Sequence, residues 1–126
     1  MPEVQEIAKE LALGIVCGIS DRDDESVYNA QVFVDASGKV VAKYRKTHLV
    51  TAAPLDERTC FSPGNEFVSC KVGKFNLGLS ICYDLRFPEM CRALAVQHGV
   101  KHVHYFLSVA ARSSGAFANP GDGACD

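Results

Sequence analysis

Val4, Ile7, Ala8 and Leu11 recur at i, i+3, i+4 and i+7, so they share one face of a helix. The spacing predicts an amphipathic helix over 3–12, entered after Pro2 and ended by Gly14. Residues 15–19 then read as a short, wholly apolar strand, and 20–26 (SDRDDES) as a charged surface loop. Two β-prone runs, 28–35 and 39–45, flank Ala36, Ser37 and Gly38, which is a hairpin signal. Residues 51–65 read as a loop carrying Pro54, Pro63 and Gly64, followed by a second hairpin pairing 66–72 with 75–82 across Gly73 and Lys74. Phe87, Met90, Cys91 and Leu94 mark one face of a second helix that ends near His98 and Gly99, and 100–107 is the next strand. From Ser108 the chain turns to Ala, Ser and Gly with few apolar anchors, which predicts a poorly ordered tail over 108–126.

The order α-β-β-β-β-β-α-β is a mixed α/β pattern with hairpins rather than repeated βαβ units. The last strand reads as apolar and central, with nothing downstream to cover it. An uncovered strand is a liability, so the expectation is that the chain is a piece of something larger.

Composition narrows the function classes. The 126 residues suffice for one domain, and 48% hydrophobic with 22% charged residues describes a globular chain rather than a disordered one. A formal net charge of −2 excludes a strongly basic nucleic-acid binder and gives no pull toward an anionic membrane. The longest apolar run, 11–19, is shorter than the roughly 20 residues a bilayer needs, and Glu3, Glu6 and Glu10 precede it where a signal peptide would be basic. The six cysteines (Cys17, Cys60, Cys70, Cys82, Cys91, Cys125) are unevenly spaced, several within apolar runs. They read as thiols of a reduced, intracellular protein, cytoplasmic or mitochondrial.

Two segments carry candidate chemistry. In 77–89 (LGLSICYDLRFPE) a strand delivers Cys82 at its C-terminal end, shortly before a helix begins near Pro88. A cysteine fixed there, close to helix N–H groups, is favoured as thiolate, although a lone cysteine is more often a small core residue. In 40–49 (VVAKYRKTHL) strand alternation puts Val40, Ala42, Tyr44 and Lys46 on one face. Lys46 therefore continues the more apolar face, where an ammonium is costly unless it meets an anion or snorkels to water. A cation beside Cys82 would favour the thiolate and stabilise an oxyanion formed when it attacks a carbonyl or nitrile carbon. Glu57, in the following loop, is the candidate carboxylate partner for Lys46.

YRKTHL, a loop glutamate, SPG and then ICYDLRFPE, preceded by YNAQVFVDASGKVVA, together resemble the carbon–nitrogen hydrolase (nitrilase) superfamily. The likeness is greatest to its amidase branch, holding omega-amidase and deaminated glutathione amidase. It covers about residues 3–107, and its specificity lies in two motifs in order, with Lys46 and Cys82 36 positions apart. The resemblance implies a partial α-β-β-α sandwich over 1–107 with mixed sheets and hairpins, whose full-length forms are homo-oligomeric, pairing through outer helices. It implies that Cys82 forms a thioester with the acyl part of a small carboxylate-bearing amide, releasing ammonia. Lys46 would stabilise the tetrahedral intermediate and Glu57 would hold the lysine and substrate. It assigns Asp84, Arg86 and Glu89 to a structural post-cysteine segment and implies no metal or organic cofactor; the charge and the short apolar run are what speak against nucleic-acid and membrane partners.

The family's general-base glutamate precedes the helix that 3–12 resembles, and Glu3, Glu6 and Glu10 lie inside that helix. The family also continues into a Trp-bearing segment, whereas the Trp count here is zero. The expectation is thus a form incomplete at both ends and weak or inactive alone. A second reading is a noncatalytic short form or pseudoenzyme that pairs with a full-length relative. A third is a metal module built on His98, His102 and His104, for which no paired-cysteine spacing speaks.

Overall fold

The structure is a computed structural model that describes residues 1–106. The expected tail over 108–126 lies outside the described residues. Helix α1 (Pro2–Leu11) opens on a proline whose missing N–H falls where the first turn lacks an acceptor. It stops at Ala12, not at Gly14. Ala12 is left-handed (φ 50°), Ala12 N donates to Lys9 O and Leu13 N to Ala8 O, which closes a Schellman cap. Gly14 serves packing instead, since a Cβ there would press on the ring of Phe33.

The first sheet has the order β1-β2-β3, all antiparallel, from β1 (Ile15–Arg22), β2 (Val27–Val34) and β3 (Val40–Arg45). Strand β1 runs three residues into the expected charged loop. Asp21 explains this, because it pairs with Lys43 at 2.9 Å and Arg45 at 2.7 Å, both on the far strand β3. Charge here is a cross-strand contact rather than a loop signal. The remaining turn is tied by Asp23 Oδ1, which accepts from the backbone N–H groups of Glu25 and Ser26. Within the expected 51–65 loop a two-stranded ribbon forms from β4 (Thr51–Ala52) and β5 (Leu55–Asp56), around the cis bond between Ala53 and Pro54.

The second sheet has the order β6-β7-β8, from β6 (Ser69–Val72), β7 (Phe75–Ile81) and β8 (His102–Phe106). Helix α2 (Pro88–His98), capped by left-handed Gly99, carries the chain from β7 to a parallel β8. Strand β7, not β8, is therefore central. The crossover lays β8 beside β7, at the edge of the sheet among the described residues.

The sheets face one another. Gln31 and Tyr44 are cross-strand partners and share a face; Gln31 Nε2 lies 3.4 Å from His104 Nδ1 on β8, and Tyr44 reaches Asp84 just beyond β7. Ala30 and Val32 take the opposite face of β2, where α1 packs through its buried Ala8. On the far side α2 sends Leu94 against Gly78. The layers run helix, sheet, sheet, helix, and Tyr44, Leu79, Ile81, Met90, Leu94 and Val100 form one buried cluster. The apolar face of α1 is only partly used: Ile7 and Leu11 are exposed. Among the described residues no helix is long and apolar enough to cross a membrane.

Cys17, Cys70 and Cys82 carry free thiols, but Cys60 is disulfide-bonded, which corrects the all-thiol expectation. Cys60 is half-buried and follows the short helical turn Glu57–Thr59, outside any strand.

Two outcomes follow from this packing. Leu94→Ala should lower the unfolding free energy by about 2–5 kcal/mol in urea titrations, since Leu94 is fully buried in the central cluster. Burial pushes the Asp21 carboxyl up, but hydrogen bonds and charge from Lys43 and Arg45 outweigh it and hold it below the usual carboxylate range. Its contribution to stability is therefore present above the unfolded value of about 3.9 and disappears as pH falls through the lower folded value. Stability measured between about pH 5 and pH 2 should fall less steeply in Asp21→Asn than in the native chain.

Candidate active site

Lys46 follows the last residue of β3, and the alternation that turns Tyr44 inward turns Lys46 inward too. Its side chain is 2% exposed, yet its Nζ carries a charge that must be met. Glu57 meets it at 2.6 Å. That carboxylate is itself held: Oε2 also accepts from Val50 N at 2.7 Å, and Oε1 accepts from Asn29 Nδ2 at 3.1 Å. The Lys46 backbone is fastened on both sides, its N–H donating to Asn29 O and its carbonyl accepting from Gly64 N, both at 2.8 Å. Gly64 can come so close only because it lacks a side chain. A Cβ there would collide with the Arg45 carbonyl. This is the physical content of the SPG segment.

Cys82 is the first residue after β7 and begins a 3-10 turn, Cys82–Arg86, that separates it from α2. Its backbone is left-handed (φ 44°), which among the described non-glycine residues only the helix cap Ala12 shares. A non-glycine residue in that region costs on the order of 1–3 kcal/mol and persists only where its surroundings enforce it. Cys82 is half-buried and packs against the central cluster.

The two segments are joined by Asp84, a fully buried carboxylate. Its Oδ2 accepts from Tyr44 OH at 2.7 Å and from Ile81 N at 2.8 Å; its Oδ1 accepts from His48 Nδ1 at 2.8 Å and His48 N at 3.3 Å. Tyr44 and His48 flank Lys46, and Ile81 and Asp84 flank Cys82. Burial, and then the charge of Asp84, push the Tyr44 hydroxyl far above its ordinary value, so it stays a neutral donor. The His48 ring stacks on Phe87 at 3.9 Å.

Of the three site residues read from the sequence, the structure pairs Lys46 with Glu57 and sets Cys82 on the segment that Asp84 ties to theirs. The sequence pattern left Asn29, Tyr44 and His48 without a role. Alternation along 40–46 places Tyr44 on the face of Lys46, and no local pattern marks Asn29 or His48. The three candidate metal histidines go separate ways: His98 Nδ1 lies 3.0 Å from Ser69 Oγ, His102 meets the Phe75 ring edge-on, and His104 lies beside Gln31. Among the described residues no three His, Cys, Asp or Glu groups are placed to hold a metal.

Comparison with known proteins adds an independent line. A family profile described as carbon-nitrogen hydrolase matches residues 1–117. The deaminated glutathione amidase of Homo sapiens is 35% identical over 119 residues, which is 83% of this chain and 36% of that protein. The N-carbamoylputrescine amidase of Solanum tuberosum is 33% identical over 95 residues, 75% of this chain and 32% of the relative. Among solved structures, an amidase from Nesterenkonia sp. superposes with a TM-score of 0.73 at 28% identity, covering 82% of this chain and 38% of that one. Other crystals of that amidase are described as showing the acetamide moiety of fluoroacetamide, or acrylamide, added at its active-site cysteine. The chain spans about a third of the length of the curated relatives it matches.

Glu57→Gln should cost about 3–5 kcal/mol in unfolding free energy, because it leaves a buried ammonium without a counter-charge. The double variant Lys46→Met, Glu57→Gln should recover much of that loss, which a denaturation-based mutant cycle would read as strong coupling.

Proposed function

The chain belongs to the carbon–nitrogen hydrolase family, and we propose that it carries the nucleophile and the oxyanion-stabilising cation of a cysteine-dependent amidase. The observation that carries this reading is the buried Lys46 ammonium paired with Glu57, on a segment that Asp84 ties to that of Cys82. A buried ammonium held so firmly is poorly explained by stability alone, since apolar residues of similar volume often serve as well. It is well explained by a need for fixed positive charge where a carbonyl oxygen turns negative.

In the proposed reaction the Cys82 thiolate attacks the amide carbonyl carbon, and the Lys46 ammonium hydrogen-bonds the oxyanion. The tetrahedral intermediate collapses, the C–N bond breaks, and the amine leaves as ammonia after taking a proton. The acyl group stays on sulfur as a thioester. Water then attacks that carbon, releasing the carboxylic acid and restoring the thiol. The relatives named for deaminated glutathione and N-carbamoylputrescine support a small amide as substrate, and we favour one bearing a carboxylate.

The reaction also needs an acceptor for the thiol proton and for that of the attacking water. Glu57 is not that group. Its oxygens already receive the Lys46 ammonium, the Val50 amide and the Asn29 side chain, so its role is to hold the lysine. A positioned base is worth about 10²–10⁴ in rate. The 126-residue polypeptide is therefore expected to acylate slowly, up to one equivalent, and to turn over poorly or not at all.

Incubation with deaminated-glutathione-type and glutaramate-type amides, and with N-carbamoylputrescine, tests this through ammonia release and intact-protein mass. One equivalent of acyl adduct on the chain, absent in Cys82→Ala, is the expected result. Adducts that persist in Cys82→Ala would rule the assignment out, and sustained ammonia release lost in that variant would show that the polypeptide has its own base.

A further inference from the structure

Cys82 holds a left-handed backbone that no glycine and no helix end accounts for. Its neighbours supply the cause. The Asp84 side chain reaches back past Cys82 to accept the N–H of Ile81 at 2.8 Å, closing a ring of protein around the cysteine. The same carboxylate is pinned from outside the ring by Tyr44 OH and by both nitrogen donors of His48. Each oxygen accepts two donors, the group is wholly buried, and among the described residues no lysine or arginine is paired with it. Phe87 N donates to the Asp84 carbonyl at 3.0 Å, which fastens the turn on its other side.

We propose that Asp84 is a positioning residue for Cys82: its four-donor carboxylate enforces the left-handed backbone at the cysteine and ties it to the strand end that carries Lys46. The proposal rests on the reading of Cys82 as the nucleophile, and goes beyond it by assigning the cause of its placement. The chemistry of the carboxylate is what matters, not its size. In Asp84→Asn the amide nitrogen replaces one oxygen, and in either orientation it confronts a backbone N–H that can only donate, that of Ile81 or that of His48. One tie must open.

The test is the rate of iodoacetamide labelling at individual cysteines of the whole chain near neutral pH, followed by peptide mass spectrometry. Burial pushes the Cys17 and Cys70 thiols up, so these two serve as slow internal references for the fold. In the native chain Cys82 should label faster than both; equal rates would sink the nucleophile reading itself. Given a fast Cys82, Asp84→Asn should slow it about ten- to a hundredfold while Cys17 and Cys70 keep their native rates. A Cys82 rate unchanged in that variant overturns the positioning role. Should all three thiols instead label faster, the substitution has opened the fold, and Tyr44→Phe decides. That variant removes one outside tie and spares the bonds to Ile81 and His48. A slower Cys82 with unchanged references then supports the proposal, and an unchanged Cys82 refutes it.

Discussion

An ammonium group 2% exposed to solvent is the constraint on which the site is built. Water cannot neutralise it, so Glu57 must stand 2.6 Å away, and a carboxylate so placed needs its own donors. Asn29 and Val50 provide them. The requirement spreads outward. The 51–65 segment has to fold back over the end of β3 to deliver Glu57, and the ribbon of β4 and β5 turns it round. Gly64 has to lie against Arg45 and Lys46 with no side chain between.

The half-buried Glu57 and the wholly buried Asp84 solve the same problem in opposite ways. Glu57 is balanced by a full positive charge with two neutral donors. Asp84 has four donors around it, from Tyr44, Ile81 and His48, and its Oδ1 bond to the His48 ring joins it to the segment that follows β3. The first arrangement fixes a charge at a point; the second fixes the relation between two stretches of backbone. Tyr44 on β3 and Lys46 just beyond its end turn the same way, one in each arrangement, which brings a charge site and a backbone clasp to the end of a single strand.

Much of this was legible along the chain because it obeys short periods. Two-residue alternation turned Lys46 inward, the i, i+3, i+4 spacing located α1 and α2, and the Gly38 and Gly73 turns marked two hairpins. What escaped has no local period. The bonds of Asn29 to Glu57 and of Tyr44 to Asp84 span 28 and 40 positions, so no window of sequence contains both partners. Residues 20–22 looked like loop because their strand character comes from Lys43 and Arg45 on β3. Ala12 took the left-handed cap that Gly14 advertised, since Gly14 was needed beneath Phe33. For α1 the pattern showed an apolar face correctly but not how much of it is covered; Ile7 and Leu11 stay exposed.

The first sheet is an antiparallel meander whose strands are neighbours in sequence as well as in space, whereas β7 and β8 pair in parallel only across the whole of α2. Loop-closure entropy makes the former cheap to assemble and the latter slow. Residues 15–45 can therefore organise early during folding, with Lys46 waiting at the end of a formed strand. The Cys82 turn is recruited afterwards, when the second sheet docks. Docking and the completion of the site are then a single kinetic event, because the carboxylate that closes the turn on Ile81 N is the one that takes the Tyr44 and His48 bonds across to the first sheet.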